Sequence, residues 1–386
     1  MLRHFILILA VPGAMILGGC SGVSYNPLDW FGGSSGPTPA PLVPISGGQT
    51  VRVLWSNSVG DADRFVFSPV LVGDDVYAAS RDGSVVRLDA ASGATRWSVS
   101  LESRLSGGVG SDGATVVVAN EEGEVFALDA KDGAVRWRAR VSSEVLAAPS
   151  VGDGLAIVRS GDSRVFAFDT ADGKRRWVYQ RAATALVVRS PAGVTLFRGL
   201  ALAGFSGGKL VAISTSNGGV RWEASVSLPR GATELERVAD VVGDPVVLGQ
   251  AVCAAAYQGR VTCFDIRSGN PMWSRKVSSV TGVSLDARHA YVSDDQGAVH
   301  ALDRFSGRSV WKQDRLAHRQ LSLPYPTGSA VAVGDLEGYV HFLARDSGAF
   351  VARIATDGGA VRAAPIRLPN GFLVQTRNGG LIALSL

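Results

Sequence analysis

The sequence is poor in the residues that metal centres and many catalytic sites need. It has three Cys and five His in 386 residues, and only 19% of its residues are charged. No nucleophile-elbow, zinc-protease, phosphate-loop or dinucleotide-binding pattern occurs in a suitable context. No run of Lys or Arg stands out, and the formal net charge is only +4. We therefore expect no catalytic residue, metal, cofactor or nucleic-acid partner.

Long apolar runs are also missing, apart from one at the N-terminus. The run over residues 5–17 is too short to span a bilayer as a stable helix, and it ends in Leu17-Gly18-Gly19-Cys20. That ending resembles the bacterial lipobox. The resemblance implies that residues 1–19 are a signal peptide and that Cys20 is lipidated, with sorting to the outer membrane because Ser21 follows. The alternative is an ordinary secretion signal in which Cys20 has no role.

The segment after Cys20 differs in composition from the rest of the chain. Residues 20–49 are rich in Gly, Pro and Ser, which is typical of a flexible, partly extended tether. A folded domain is expected over 50–386. The chain is 46% apolar, enough for a large core, and its 47 Gly suit many tight turns better than long helices.

One motif of fifteen residues occurs six times in this domain, as in GSVVRLDAASGATRW and GEVFALDAKDGAVRW. The closing Trp always stands fourteen residues after the opening Gly position, which Ser163 fills once. A seventh copy has Ala352 in place of Trp, and an eighth copy starts at Gly379 and reaches the chain end. Another Trp precedes the first copy. These Trp residues are Trp55, Trp97, Trp137, Trp177, Trp222, Trp273 and Trp311.

Each copy reads as a strand, a turn and a second strand. The opening Gly usually follows Asp, Glu or Gln, which indicates a hairpin turn with positive φ. An Asp before the second turn can accept hydrogen bonds from that turn, so turn capping explains this residue better than metal ligation. The recurring Asp residues are Asp89, Asp129, Asp169, Asp265 and Asp303. Two further strand-like runs separate the copies, so the unit is four antiparallel strands.

A unit of about 40 residues with four strands is typical of a propeller blade. The sequence therefore predicts an all-β fold, an eight-bladed β-propeller of four-stranded antiparallel blades. We expect each Trp to lie on an outer strand between adjacent blades. The C-terminal copy would supply inner strands of the last blade, and the segment around Trp55 would complete that blade and close the ring.

The repeat is least regular around blades four and five. The intervals between motif starts there are 45 and 51 residues, and the extra length lies in YQRAATALVVRS and SVSLPRGATELERVADVVG. Both segments connect an outer strand to the next inner strand, so they should emerge side by side on one face. Long loops on a rigid scaffold often bind partners, although a tolerated surface insertion is the plainer interpretation.

These features together resemble known families. The tandem LD-x-x-[ST]-G-x-x-x-W pattern resembles the pyrroloquinoline-quinone (PQQ) propeller repeat. With the lipobox and the segments VVRSP and ATELERVADV, the chain resembles the BamB family, the propeller lipoproteins of the outer-membrane β-barrel assembly machinery. The resemblance implies a non-catalytic scaffold that binds the periplasmic POTRA domains of the central barrel subunit. It also implies a role in the folding and insertion of outer-membrane proteins.

The resemblance assigns candidate partner-binding residues to the two long loops. In that family these loops contact the POTRA domains, and the matching positions here are Leu186, Val188, Arg189 and Asp240. A second acidic position of the family is Val242 in this chain, so we expect fewer charge contacts, with Glu236 sharing the role.

Two other classes of function fit parts of the pattern. PQQ-dependent dehydrogenases share the blade motif, so the motif also resembles that family. Those enzymes have longer chains and an adjacent Cys-Cys pair, and this sequence has no Cys-Cys pair. A general periplasmic protein that binds unfolded barrel precursors, peptides or glycans would need the same stiff scaffold. A general client-binding protein would bind these clients in the absence of the assembly machinery, and a dedicated scaffold would not.

Two residue pairs remain to be interpreted. His300 and His341 occupy the same repeat position in consecutive blades, and identical register explains this coincidence without a metal. Cys253 and Cys263 lie on successive strands of one blade. They can form a cross-strand disulfide in an oxidising periplasm or remain small core residues, and the sequence does not decide between the two.

Overall fold

The computed structural model describes residues 37–182 and 186–386, so the expected signal peptide and Cys20 lie outside the described residues. Residues 39–386 form one compact unit. Within the described ranges every regular element is a strand, and no helix there has the length and apolarity to cross a bilayer.

The strands form eight sheets, which we call blades. Blade one is β2 (Val70–Val72), β3 (Asp75–Ala79), β4 (Ser84–Asp89) and β5 (Thr95–Ser100); blade two is β6 (Leu105–Ser111), β7 (Thr115–Asn120), β8 (Glu124–Asp129) and β9 (Val135–Arg140). Blade three is β10 (Ser150–Gly152), β11 (Leu155–Ser160), β12 (Arg164–Asp169) and β13 (Arg175–Gln180); blade four is β14 (Val194–Phe197), β15 (Leu200–Phe205), β16 (Lys209–Ser214) and β17 (Val220–Ser225). Blade five is β18 (Val241–Leu248), β19 (Ala251–Ala256), β20 (Arg260–Asp265) and β21 (Pro271–Lys276); blade six is β22 (Ser284–Leu285), β23 (His289–Ser293), β24 (Val299–Asp303) and β25 (Ser309–Gln313). Blade seven is β26 (Tyr325–Thr327), β27 (Ala330–Gly334), β28 (Tyr339–Ala344) and β29 (Phe350–Ala355); blade eight is β30 (Ile366–Leu368), β31 (Gly371–Gln375), β32 (Gly380–Ser385) and β1 (Arg52–Ser58).

The blades close into a ring, and the predicted eight-bladed all-β propeller is confirmed. Every sheet of the described chain has four antiparallel strands in consecutive order, except that β1 pairs with β32 on the outside of blade eight. Successive first strands contact one another from β2 to β26, and β30 contacts β2. The first strand, β1, therefore completes the last blade by pairing with β32, as the sequence predicts.

The core lies between the blades. The second strands are buried on both faces, as in TVVVAN of β7 and AVCAAA of β19, so they are continuous runs of small apolar residues without alternation. Outer strands alternate instead, because only one of their faces meets a neighbouring blade. Apolar clusters fill each gap between blades, and the outer-strand Trp residues belong to them or pack against them.

Each indole is held by the next blade in the same way. Trp137 of blade two is 8% exposed, and its Nε1–H donates to the carbonyl oxygen of Thr170 in blade three at 2.9 Å. Gly173 of that turn has φ +72°, and a Cβ added there would lie 2.7 Å from the indole ring. The second Gly of the motif is therefore required both by its backbone conformation and by the ring packed on it. The carbonyls that accept from the seven indoles belong to Ala90, Ala130, Thr170, Thr215, Ile266, Arg304 and Arg345.

The turns have the hydrogen bonds that the sequence indicates. Oδ1 of Asp89 accepts from the backbone N–H groups of Ala91 and Ser92, and each of the other recurring Asp residues caps its own turn in a similar way. The turn between β19 and β20 in blade five differs from the expectation. There Gln258 takes the positive φ of +48° in place of Gly259, because the turn is shifted by one residue.

Blade seven has Ala352 on β29 at the position where six other copies of the motif have Trp, and the Ala352 side chain is buried. Part of the expected tether lies against blade seven. The N–H of Gln49 donates to Val351 O at 2.7 Å, and Arg353 donates to Val43 O at 3.0 Å. The compact unit accordingly begins at Pro39, before the boundary expected from composition.

The structure answers the question of the two cysteines. Cys253 and Cys263 stand directly opposite each other on β19 and β20, with 4.0 Å between their Cα atoms, and they form a disulfide. Both side chains are fully buried. The bond closes a short loop within blade five, the blade that follows the longest insertion, and its effect is to restrict the unfolded chain.

We expect Trp137→Ala to lower the free energy of unfolding by about 3–5 kcal/mol, because it deletes a buried aromatic side chain and its hydrogen bond. Val135→Ala on the same strand is the control, since Val135 is 41% exposed, and we expect its effect to stay below about 1 kcal/mol. Chemical denaturation measures both. Equal stability of the two variants would contradict the packing role of the indole.

Candidate docking surface

The two long connections lie next to each other. Loop 1 (residues 181–193) joins β13 to β14, and loop 2 (residues 226–240) joins β17 to β18. Both start at an outer strand and end at an inner strand, so they emerge from the same end of the blades. Part of the second insertion also lengthens β18 to eight residues, with irregular pairing between Val242 and Val246. We call the described residues of the two loops the docking surface.

Asp240 fastens the two loops together. It is 5% exposed, and its Oδ2 accepts from the backbone N–H of Val188 in loop 1 at 2.6 Å. Its Oδ1 accepts from the N–H of Gly207 at 3.0 Å. A buried carboxylate that receives two backbone N–H donors is well compensated. The geometry therefore indicates that Asp240 positions loop 1. The family resemblance alone suggests instead that the Asp240 carboxylate is exposed and contacts a partner.

The other two candidate positions of loop 2 and β18 also have internal contacts. Oε2 of Glu236 accepts from the N–H groups of Ala232 and Thr233, while Thr233 Oγ1 accepts from the N–H of Glu236. This reciprocal arrangement has the pattern of a capping box, and its backbone donors lower the pKa of Glu236. Val242 is 1% exposed on β18, where an apolar side chain suits the core.

Arg189 belongs to a network of ion pairs across the face. Its Nη2 lies 2.6 Å from Glu144 and 3.0 Å from Glu121. Glu121 also pairs with Arg64 at 2.8 Å and with Arg81 at 2.7 Å. Burial raises the pKa of Glu121, but the bonds to Arg64 and Arg189 outweigh it and the net pKa is lowered. Loop 1 is thus connected to blades one and two, with the Arg189 side chain still 48% exposed.

Both loops of the docking surface present apolar side chains to solvent. Leu186 and Val187 of loop 1 are 48% and 49% exposed, and Leu228 and Leu235 of loop 2 are 58% and 67% exposed. Val188 is only partly buried. Arg is enriched in protein interfaces, and exposed apolar side chains in one region can be buried by a partner. The arrangement can bind a protein surface.

Other groups in the described ranges have structural partners. His300 Nε2 lies 2.8 Å from Asp294, and His341 Nε2 lies 2.8 Å from Asp335, so each His bonds to a carboxylate of its own blade. This shared register explains the repeat position of the two His. Across residues 37–182 and 186–386, no group of three or more His, Cys, Asp or Glu side chains could hold a metal ion.

Comparison with known proteins identifies the family. Residues 81–313 match the family model described as outer membrane protein assembly factor BamB. The BamB of Bordetella pertussis is 44% identical over 375 residues, which cover 97% of this chain and 95% of that protein. The chain belongs to the BamB family. The crystal structure of BamB from Moraxella catarrhalis has a TM-score of 0.80 at 28% identity, covering 87% of this chain and 100% of that one.

Enzymes share the architecture of the BamB family at much lower identity. A europium-containing methanol dehydrogenase has a TM-score of 0.67 with this chain at 14% identity, covering 84% of each chain. At that identity the likeness shows the propeller fold alone. The family match at 44% identity is to a protein named as an assembly factor and not as an enzyme.

The sequence did not point to every residue at the docking surface. Glu121 and Glu144 lie in blade two and in its connection to blade three, and they meet Arg189 only after the ring has formed. Among the described residues, Leu235 is the most exposed large apolar residue, but its position within a helix-like Thr-Glu-Leu-Glu stretch gives no sign of that. Two adjacent Glu residues precede the turn Gly in Asn120-Glu121-Glu122-Gly123, and this local concentration of negative charge was the feature of the sequence that could have pointed to Glu121.

We expect Asp240→Ala to destabilise the domain by about 2–4 kcal/mol and to speed hydrogen exchange at Val188, since two buried N–H donors lose their acceptor. Asp240→Asn keeps one acceptor oxygen and should show roughly half the loss. Asp346→Ala, at an exposed turn position, is the control with no expected effect. Unchanged exchange at Val188 in Asp240→Ala would show that the carboxylate does not hold loop 1.

Proposed function

We propose that this chain is a non-catalytic scaffold of the outer-membrane protein assembly machinery. Its docking surface binds the periplasmic POTRA domains of the central barrel subunit and so aids folding and insertion of outer-membrane proteins. The observation that carries the proposal is the pairing of loops 1 and 2 through Asp240, which holds exposed Leu and Val side chains beside Arg189. Membership of the BamB family supports the same role.

The proposal includes an anchor on the membrane. Lipidation at Cys20 would hold the propeller at the outer membrane on its periplasmic side, and the acyl chains would supply the membrane affinity. The disulfide between Cys253 and Cys263 is consistent with an oxidising compartment such as the periplasm.

A scaffold explains the structure better than an enzyme does. The recurring Asp residues accept hydrogen bonds from the backbone of their own turns. The buried indoles hold adjacent blades together. The docking surface has the exposed apolar and Arg composition of a protein interface, whereas an active site needs convergent polar groups in a dry cleft.

We expect Arg189→Glu to abolish co-purification with the barrel subunit, because the new charge faces Glu121 and Glu144 and the partner loses a cation. Leu235→Ser should weaken binding at least about 10-fold as a hot-spot residue without disturbing an ion pair. Pull-down from solubilised membranes, followed by calorimetry with the purified periplasmic domains, measures both.

Two controls separate this face from the rest of the propeller. Phe305→Ser changes an apolar residue that is 63% exposed on a turn at the opposite end of the blades, and Arg275→Glu reverses an exposed charge on β21. Both should bind the partner as the wild type does. Wild-type binding by Arg189→Glu and Leu235→Ser together would rule out this face. Capture of denatured outer-membrane protein without the barrel subunit would favour a general client-binding protein.

A further inference from the structure

Arg159 lies at the end of β11 beneath loop 1, and it has no ion pair. Its Nη1 donates to the carbonyl oxygen of Ala192, and its guanidinium lies 5.6 Å from the centre of the Phe205 ring. No carboxylate of the described residues is within 4.0 Å of its nitrogens. Burial lowers the pKa of Arg159, and the more distant Asp244 and Asp240 only partly oppose this. The guanidinium is thus a cation that lacks a close counter-charge.

Two donors near this cation are buried without a partner. Arg159 Nε and Ser190 Oγ are both inaccessible to solvent, and neither has a hydrogen-bond partner among the described residues. An unsatisfied buried polar atom costs about 1–3 kcal/mol, and more for a charged group. Most buried donors in proteins are satisfied, so two unsatisfied donors that line the same cavity need an explanation.

Both residues line one cavity of about 230 Å³ between blade three and the docking surface. This volume is several times the roughly 30 Å³ that a water occupies in the liquid. The acids in its wall are already engaged, since Glu144 pairs with Arg189 and Asp240 accepts from two backbone N–H groups. The two groups without a partner, the Arg159 Nε–H and the Ser190 hydroxyl, can both donate. Leu146 and Val187 add apolar wall.

The shape and chemistry of this cavity suit one kind of group. A carboxylate has two oxygens that can accept from the Nε–H of Arg159 and the hydroxyl of Ser190, and its negative charge compensates the guanidinium. The apolar wall can cover the methylene carbons of an acidic side chain. Val187 and Arg189 of the docking surface also line this cavity.

We propose that this cavity is a socket for an Asp or Glu side chain of the docked partner, bound by Arg159 and Ser190. The proposal rests on the proposed function, because the partner is the protein that binds the docking surface. Arg159 is then a second cation for the partner, beneath the exposed Arg189. The acidic side chain of the partner is buried in the cavity. Binding then satisfies two donors that are unsatisfied in the free protein.

Calorimetry with the full-length lipoprotein and the purified periplasmic domains of the barrel subunit tests the socket. Arg159→Met keeps a side chain against Phe205 and removes the donor, and we expect its affinity for the partner to fall about 10- to 100-fold. Ser190→Ala removes one oxygen and should fold as the wild type does, with a loss of about 3- to 10-fold. Arg138→Met, an exposed arginine on β9, is the matched control with no loss.

Exchange of each partner acid for its amide completes the design. For one partner acid, the exchange should lower the affinity for the wild-type chain. The same exchange should cause no further loss of affinity for Arg159→Met, which is the signature of a direct contact. Wild-type affinity of Arg159→Met and Ser190→Ala, with Arg189→Glu still defective, would overturn the socket and leave the docking surface intact. Additive losses for every acid would also overturn it. Stabilisation by micromolar glutarate without competition against the partner would overturn the assignment to a partner side chain.

Discussion

The structure depends on one contact that recurs around the ring: the indole of one blade packed on the turn glycine of the next. The Trp137 ring covers Gly173, and its Nε1–H donates to a carbonyl of the same turn. Because the contact joins an outer strand to the following blade, it fixes both the spacing and the angle between sheets. Because the Trp recurs at the same motif position in six copies, adjacent blades are related by a nearly constant rotation. A chain with enough blades therefore closes into a ring.

Blade seven is the exception, because Ala352 stands at its Trp position. The N-terminal segment supplies contacts there instead, with Gln49 and Val43 bonded to β29. Ring closure is thus achieved with two devices, the pairing of β1 with β32 and a strap of preceding residues. The first device lies in blade eight and the second lies on blade seven.

Much of the fold could be predicted from the sequence, because the repeat encodes local turns and strands together with their period. The Trp and Gly positions gave blade number, strand order and the closing strand, and the interval lengths located loops 1 and 2. The docking chemistry was less accessible. Asp240 is read as an exposed acid by resemblance, yet its burial and its bond to Val188 appear only when two loops meet in space. Glu121, Glu144 and Arg159 approach loop 1 from other blades, and no local pattern marks such contacts.

A stiff ring lets two loops act as one surface, and the indole–glycine contact is the origin of that stiffness. A double-mutant cycle between Trp137 and Gly173 tests it most directly, with unfolding free energies from denaturant titration. Gly173→Ala should cost clearly more in the wild type than in the Trp137→Ala background, because only the intact indole meets the added methyl; the coupling should exceed about 1 kcal/mol. An equal cost in both backgrounds would mean that the glycine serves the turn alone and that the blades are held together in another way.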